Sequence, residues 1–284
     1  MIRGSCLCNS VRWDVDGPLG HMSHCHCSIC RKAHGAPFAT YVSTAAGNYR
    51  LLAGADEIRQ HQCSPRLPRA FCATCGSVVP MLVGSRAVIP AGCLDDDPGI
   101  RPAMHIFTAS KAAWHPINDD LPQHDAYPAA AGEEASPMPA RGAETPGHLH
   151  GSCLCDGVAF ELSQPFKVVH NCHCSRCRKA RAAAHTTNGF VPIDGFRFLR
   201  GEDLLVSYKV PEAKSYTVTF CRICGSGMPR LRLEMDVVVI PLGSLDHNPG
   251  DPGWGAGDHI FTGSMAPWYE ITDQLPQYEE MSTA

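Results

Sequence analysis

At 284 residues the chain is long enough for two domains of ordinary size. Hydrophobic residues make up 44% and charged residues 18%, which excludes wholesale disorder, and a formal net charge of −4 excludes a global positive field that would hold nucleic acid or an anionic membrane surface. No run of 18 apolar residues and no apolar leader is present, so the expectation is a cytoplasmic protein with neither nucleic acid nor membrane as partner, whose 16 cysteines serve as metal ligands rather than disulfides.

In chain order, the first feature is Gly4-Ser5-Cys6-Leu7-Cys8, followed by a β-type run, Val11-Arg12-Trp13-Asp14-Val15. Cys25-His26-Cys27-Ser28 and Cys30-Arg31-Lys32-Ala33 come next. Arg, Lys and Ala favour helix, so a short helical turn is expected after Cys30, ending at Gly35. Phe38-Ala39-Thr40-Tyr41-Val42 reads as a strand. Phe71-Cys72 with Cys75-Gly76-Ser77 supplies a Cys-x-x-Cys, and Gly92, Leu94-Asp95, His105-Ile106-Phe107-Thr108, Trp114 and Leu121-Pro122-Gln123 follow. Residues 126–147, rich in Pro, Ala and Gly, read as a linker.

After the linker the series recurs. Gly151-Ser152-Cys153-Leu154-Cys155 stands 147 residues after its first occurrence (Cys6 to Cys153), and Cys172-His173-Cys174-Ser175 with Cys177-Arg178-Lys179-Ala180 keeps that offset. Phe220-Cys221 and Cys224-Gly225-Ser226 lie 149 residues on, an insertion of two that suits a loop. Tyr216–Phe220 and Val237–Ile240 read as strands, and Gly243, Leu245-Asp246, His259-Ile260-Phe261-Thr262, Trp268 and Leu275-Pro276-Gln277 complete the match. The expectation is a mainly antiparallel β fold in two tandem domains, 1–125 and 148–284, which pack as a pseudo-dimer because duplicated chains often reproduce a two-fold contact.

Two kinds of metal site are expected per copy. Cys6, Cys8, Cys72 and Cys75, and likewise Cys153, Cys155, Cys221 and Cys224, supply four thiolates, a closed tetrahedral zinc shell with a structural role. Cys25, Cys27 and Cys30, and likewise Cys172, Cys174 and Cys177, supply three, leaving a fourth position for water or a ligand as catalytic zinc requires. That makes up to two zinc ions per domain and four per chain. A closed shell through His24 is the competing reading, weakened by Asn171 at the matching position; a disulfide within the three-cysteine set is another. His26 and His173 sit between two ligands, so their rings should project away from the metal. Cys63 and Cys93 have no cysteine counterparts and read as ordinary residues.

These motifs, in this order and twice over, resemble the glutathione-dependent formaldehyde-activating enzyme family, which includes relatives of centromere protein V. The resemblance implies zinc-binding β-tent domains of coiled antiparallel sheets, a structural zinc on each four-cysteine set and a catalytic zinc on each three-cysteine set. It also implies carbon–sulfur lyase chemistry that joins glutathione, or another thiol, to formaldehyde or a related small aldehyde. Arg31, Lys32, Arg178 and Lys179 are candidates for the glutathione carboxylates, against the reading of a solvated helical turn. His105 and His259 are candidate proton carriers, against the reading of satisfied structural histidines. The glycine after the metal motif, Gly35, has no counterpart in the second copy. If Gly35 admits a ligand to the backbone, the second copy takes a different substrate or none. The alternative function is a non-catalytic, zinc-stabilised module that binds a small molecule or protein through redox-sensitive three-cysteine sites.

Overall fold

The computed structural model describes residues 1–63, 68–128, 145, 147–246 and 253–281; most of the linker expected at 126–147 lies outside them. The chain is mainly β, in several small sheets. In the first repeat, strands Ile2–Ser5, Arg12–Val15 and Tyr49–Ala53 form an antiparallel sheet, Ile58–Gln62 and Pro68–Cys72 form a hairpin, and a six-stranded sheet is centred on Met22–Cys25 and Ala39–Ala45. The second repeat reproduces this plan with Leu149–Ser152, Ala159–Leu162 and Phe196–Arg200, with the hairpin Leu205–Lys209/Thr217–Cys221, and with a five-stranded sheet centred on Val168–Cys172 and Thr186–Pro192. The motif glycine has a steric reason: a Cβ on Gly4 would lie 2.4 Å from the Trp13 ring, and one on Gly151 2.1 Å from that of Phe160.

The sheets are mainly antiparallel, as expected, with Pro102–Ile106 running parallel to Met22–Cys25 and Asp258–Ile260 parallel to Val168–Cys172. One feature departs from expectation. The helices begin earlier than residue preference suggests. Helix α1 spans Ser28–His34 and α2 spans Ser175–Arg181, because Cys27 and Cys174 act as N-caps whose sulfurs accept hydrogen bonds from the Cys30 and Cys177 amides. α1 ends on Gly35 at φ 60°, whereas α2 ends on Ala182, forced to φ 51°.

The repeats meet through reciprocal contacts. The ammonium of Lys32 donates to Ser152 O, Ser244 O and Asp246 Oδ1 at 2.8, 3.0 and 2.6 Å, and Lys179 reaches Ser5 and Asp95 in the same manner. A Cβ on Gly92 would lie 2.1 Å from the Ala183 amide nitrogen, and one on Gly243 2.3 Å from that of Ala36, so both glycines are required by backbone of the opposite repeat. Gly76 lies against the ring of Phe220 and Gly225 against that of Phe71. Ile29 and Ala33 of α1 pack into an apolar cluster with Leu154, Leu242 and Leu245, so core burial is shared between the repeats.

Candidate metal centres

The Cys-x-Cys pairs lie in the turns that follow Ile2–Ser5 and Leu149–Ser152, and each Cys-x-x-Cys begins at the last residue of a hairpin strand. In each repeat the four sulfurs fall within 4.8 Å of one another. Cys6–Cys8 and Cys8–Cys72 are 3.4 and 3.6 Å apart, Cys153–Cys155 and Cys155–Cys221 3.4 and 3.8 Å. Four thiolates about 2.3 Å from a zinc ion form a tetrahedron with edges of about 3.8 Å, so the spacing fits that shell. Val11 and Val158 amides donate to Cys6 and Cys153, which favours thiolate at those sulfurs. Hydrogen bonds from Cys6 and Cys72 pull Cys75 down to about 7.

The three-cysteine groups combine a strand end with a helix start. Cys25 ends Met22–Cys25, Cys27 caps α1 and Cys30 lies in its first turn; Cys172, Cys174 and Cys177 repeat this with α2. Each set of sulfurs again lies within 4.8 Å, and among the described residues no imidazole or carboxylate joins either set. His24 Nδ1 is bonded to Thr40 Oγ1 at 2.8 Å, and Asn171 to Thr187 at 2.7 Å, so neither turns to the sulfurs. Hydrogen bonds from Cys172 and Cys177 pull Cys174 down to about 3. The backbone behind each site is strained: Phe107 and Phe261 hold φ of 59° and 58°, next to Ile106 and Ile260, whose carbonyls accept the His26 and His173 amides.

His26 and His173 turn toward a buried chain of side chains. His26 Nε2 is 2.8 Å from His105 Nδ1, and His105 Nε2 is 2.9 Å from Asp119; His173, His259 and Asp273 repeat this at 2.8 and 3.0 Å. The network assigns the tautomers. A carboxylate accepts from Nε2–H of His105, whose Nδ1 must then accept from Nε2–H of His26, leaving His26 Nδ1 as an acceptor. Nδ1 of His26 and of His173 is buried with no hydrogen-bond partner among the described residues. Burial pushes His26 far down and His173 to about 3, so both rings are neutral. Sequence reasoning missed Asp119 and Asp273, although Ile117-x-Asp119-x-Leu121 and Ile271-x-Asp273-x-Leu275 carried the signal.

A family model described as glutathione-dependent formaldehyde-activating enzyme matches the chain twice, over residues 1–110 and 148–264. The chain belongs to that family. A protein of Rhodobacter sphaeroides known from its crystal structure is 25% identical to it, over 38% of this chain and 97% of its own, with a TM-score of 0.30. No curated protein matches.

Within this member of the formaldehyde-activating family, the basic residues after each metal motif face the opposite repeat. Lys32 and Lys179 make the contacts described above, Arg31 is buried, and Arg178 Nη1 lies 3.4 Å from Gly92 O. Gly35 likewise lies against Pro241 and Arg181, so its approach is to the second repeat. The groups nearest the sulfurs are others. Arg69 Nη2 donates to Cys30 at 3.3 Å beneath the Tyr41 ring, and Tyr216 Oη donates to Cys177 at 3.4 Å. Nothing in the sequence pattern singled these out, since Arg69 corresponds to Val218 in the other copy.

Between the repeats, His115 faces Phe38 and His185 faces Phe38 and Tyr269, with His185 at 1% exposure and both its nitrogens unpartnered among the described residues. Burial, with His173 and His115 nearby, pushes His185 well below the ordinary histidine value. A group protonated when unfolded but neutral when folded gives stability that is complete above a pH of about 6.5 and lost as pH falls, by about 1.4 kcal/mol per pH unit. The variant His185→Phe, which installs the residue of the matching position in the first repeat, should therefore lose less stability between pH 7 and pH 5 in urea titrations. Parallel pH profiles for the two proteins would remove this assignment.

Proposed function

We propose that the chain is a zinc-dependent enzyme of carbon–sulfur lyase type, acting on glutathione or another thiol and on formaldehyde or a related small aldehyde. The chemistry is assigned to Cys25, Cys27 and Cys30 and to Cys172, Cys174 and Cys177, with a structural ion on each four-cysteine set. The observation that supports this reading is the three-sulfur group without a fourth protein donor among the described residues, present in both repeats. A zinc ion held there supplies a soft Lewis acid that favours the thiolate form of a bound thiol and polarises an aldehyde oxygen.

The chain's own groups divide the remaining work. Arg69 gives Cys30 a buried counter-charge, and Tyr216 gives Cys177 a hydrogen bond. His26 and His173, each between two of the cysteines, are held in one tautomer by His105 with Asp119 and by His259 with Asp273, which leaves each a buried neutral acceptor nitrogen. Arg31, Lys32, Arg178 and Lys179 serve the contact between two domains, 1–125 and 148–284, arranged as a pseudo-dimer in a cytoplasmic protein without nucleic-acid or membrane partners.

Zinc per chain, measured by elemental analysis under reducing conditions, should be about four, one for each cysteine group. The double variant Cys27→Ala/Cys174→Ala should hold about two, remain folded and lose formation of S-hydroxymethylglutathione from formaldehyde and glutathione. Four ions with unchanged turnover in that variant would place the chemistry elsewhere; four ions in the wild type with no turnover would favour the binding-module reading.

A further inference from the structure

The two three-cysteine sites carry different surroundings, and the difference is one of charge. Three thiolates around a divalent ion leave one net negative charge. In the first repeat Arg69 offsets it: its guanidinium is buried against Cys30, and the matching space is filled by Tyr41, Met81 and His34, with His34 Nε2 bonded to Tyr41 Oη at 2.7 Å. The second repeat has Asn188, Val218, Arg230 and Arg181 at those four positions. Two guanidinium groups therefore stand where the first repeat has one.

A cavity of about 40 Å³ opens there, lined by Cys177, Arg181, Thr186, Asn188, Tyr216 and Arg230. That is room for about three waters or one carboxylate. Arg230 donates to the Thr217 carbonyl, and among the described residues its buried Nε has no partner and neither Arg230 nor Arg181 forms an ion pair with a carboxylate. Burial lowers the pKa of both arginines, and the carboxylate that acts on Arg230 from outside the site, that of Glu234, is exposed and paired with Arg232. One net negative charge therefore faces two half-buried arginines in a pocket that opens on Cys177, where the first repeat sets a single arginine against it.

We infer that the second repeat's three-cysteine site is specific for an anionic substrate, a small thiol whose carboxylate lies within a few bonds of its sulfur, with Arg181 and Arg230 as the specificity-determining residues. The inference rests on the open-metal reading above. An ion held by Cys172, Cys174 and Cys177 would bind the thiol sulfur, and the carboxylate would meet the Arg181 and Arg230 guanidinium forks in the cavity beside Cys177. The first repeat, whose single arginine already serves Cys30, accepts thiols without regard to charge.

The test uses the intact chain with cobalt in place of zinc, titrated with 3-mercaptopropionate and with 2-mercaptoethanol while the sulfur-to-cobalt absorption is followed. 3-Mercaptopropionate should bind in two steps, one equivalent at least tenfold tighter than the other, whereas 2-mercaptoethanol binds in one. The variant Arg181→His/Arg230→Met installs the first repeat's residues, and in it 3-mercaptopropionate should bind in the single weak step, with 2-mercaptoethanol unaffected. Equal affinity of both equivalents for 3-mercaptopropionate in the parent chain overturns the charge inference alone. No spectral change with either thiol overturns the open-metal reading and this inference with it.

Discussion

Cys72→Ala or Cys221→Ala should abolish the native fold, whereas Cys27→Ala and Cys174→Ala should leave it intact. The four-cysteine groups tie the turn after the first strand of each repeat to the end of a hairpin far along the chain, Cys8 to Cys72 and Cys155 to Cys221. A structural zinc contributes apparent binding energy of about 10–16 kcal/mol, comparable with or larger than the whole net stability of a domain, about 5–15 kcal/mol. The three-cysteine groups instead clasp six consecutive residues that strand pairing and helix packing already hold. Because the apolar core includes residues of both repeats, loss of one four-cysteine site should be felt by the entire chain. Near-ultraviolet circular dichroism and thermal melting in zinc-containing buffer decide it. A Cys72→Ala protein that melts within a few degrees of the wild type would deprive that site of its structural role.

Asp246→Ala should cost about 3–5 kcal/mol, because it leaves the Lys32 ammonium buried without its counter-charge. The pseudo-symmetric Asp95→Ala should cost clearly less. The two ion pairs have the same partners and differ in water access: side-chain exposures are 4% and 17% for Lys32 and Asp246, but 19% and 33% for Lys179 and Asp95. Exposed pairs contribute at most about 1 kcal/mol, since solvent replaces the lost partner. Urea denaturation of the two variants measures the difference. Equal costs would show that something other than desolvation governs this contact.

The cysteine groups were legible because ligand spacing is a local property and each group appears twice. Strand positions were legible to within a few residues for the same reason: Val237–Ile240 was expected and Val237–Pro241 is observed. The helix start was not, because the cap is a sulfur, a group whose capping role residue preference does not register. The parallel pairing of Pro102–Ile106 with Met22–Cys25 was also hidden, since neither strand carries a mark of its distant neighbour. Lys32 illustrates the same limit. A basic residue after a metal motif suggests a substrate carboxylate, and only the packed structure shows that the carboxylate it meets is Asp246.

What the sequence determined by itself is the duplication, the two classes of cysteine site and the family, all of which depend on residue identity at short or repeated spacing. What only the tertiary structure decided is the use of the other motif residues. Ser5 with Asp95 and Ser152 with Asp246 receive a lysine from the opposite repeat, Gly92 and Gly243 admit its backbone, and His105 and His259 join a metal-site neighbour to a distant aspartate. Each of these depends on atoms brought within hydrogen-bond or van der Waals range by long-range packing, and pairings of that kind leave no periodic trace along the chain.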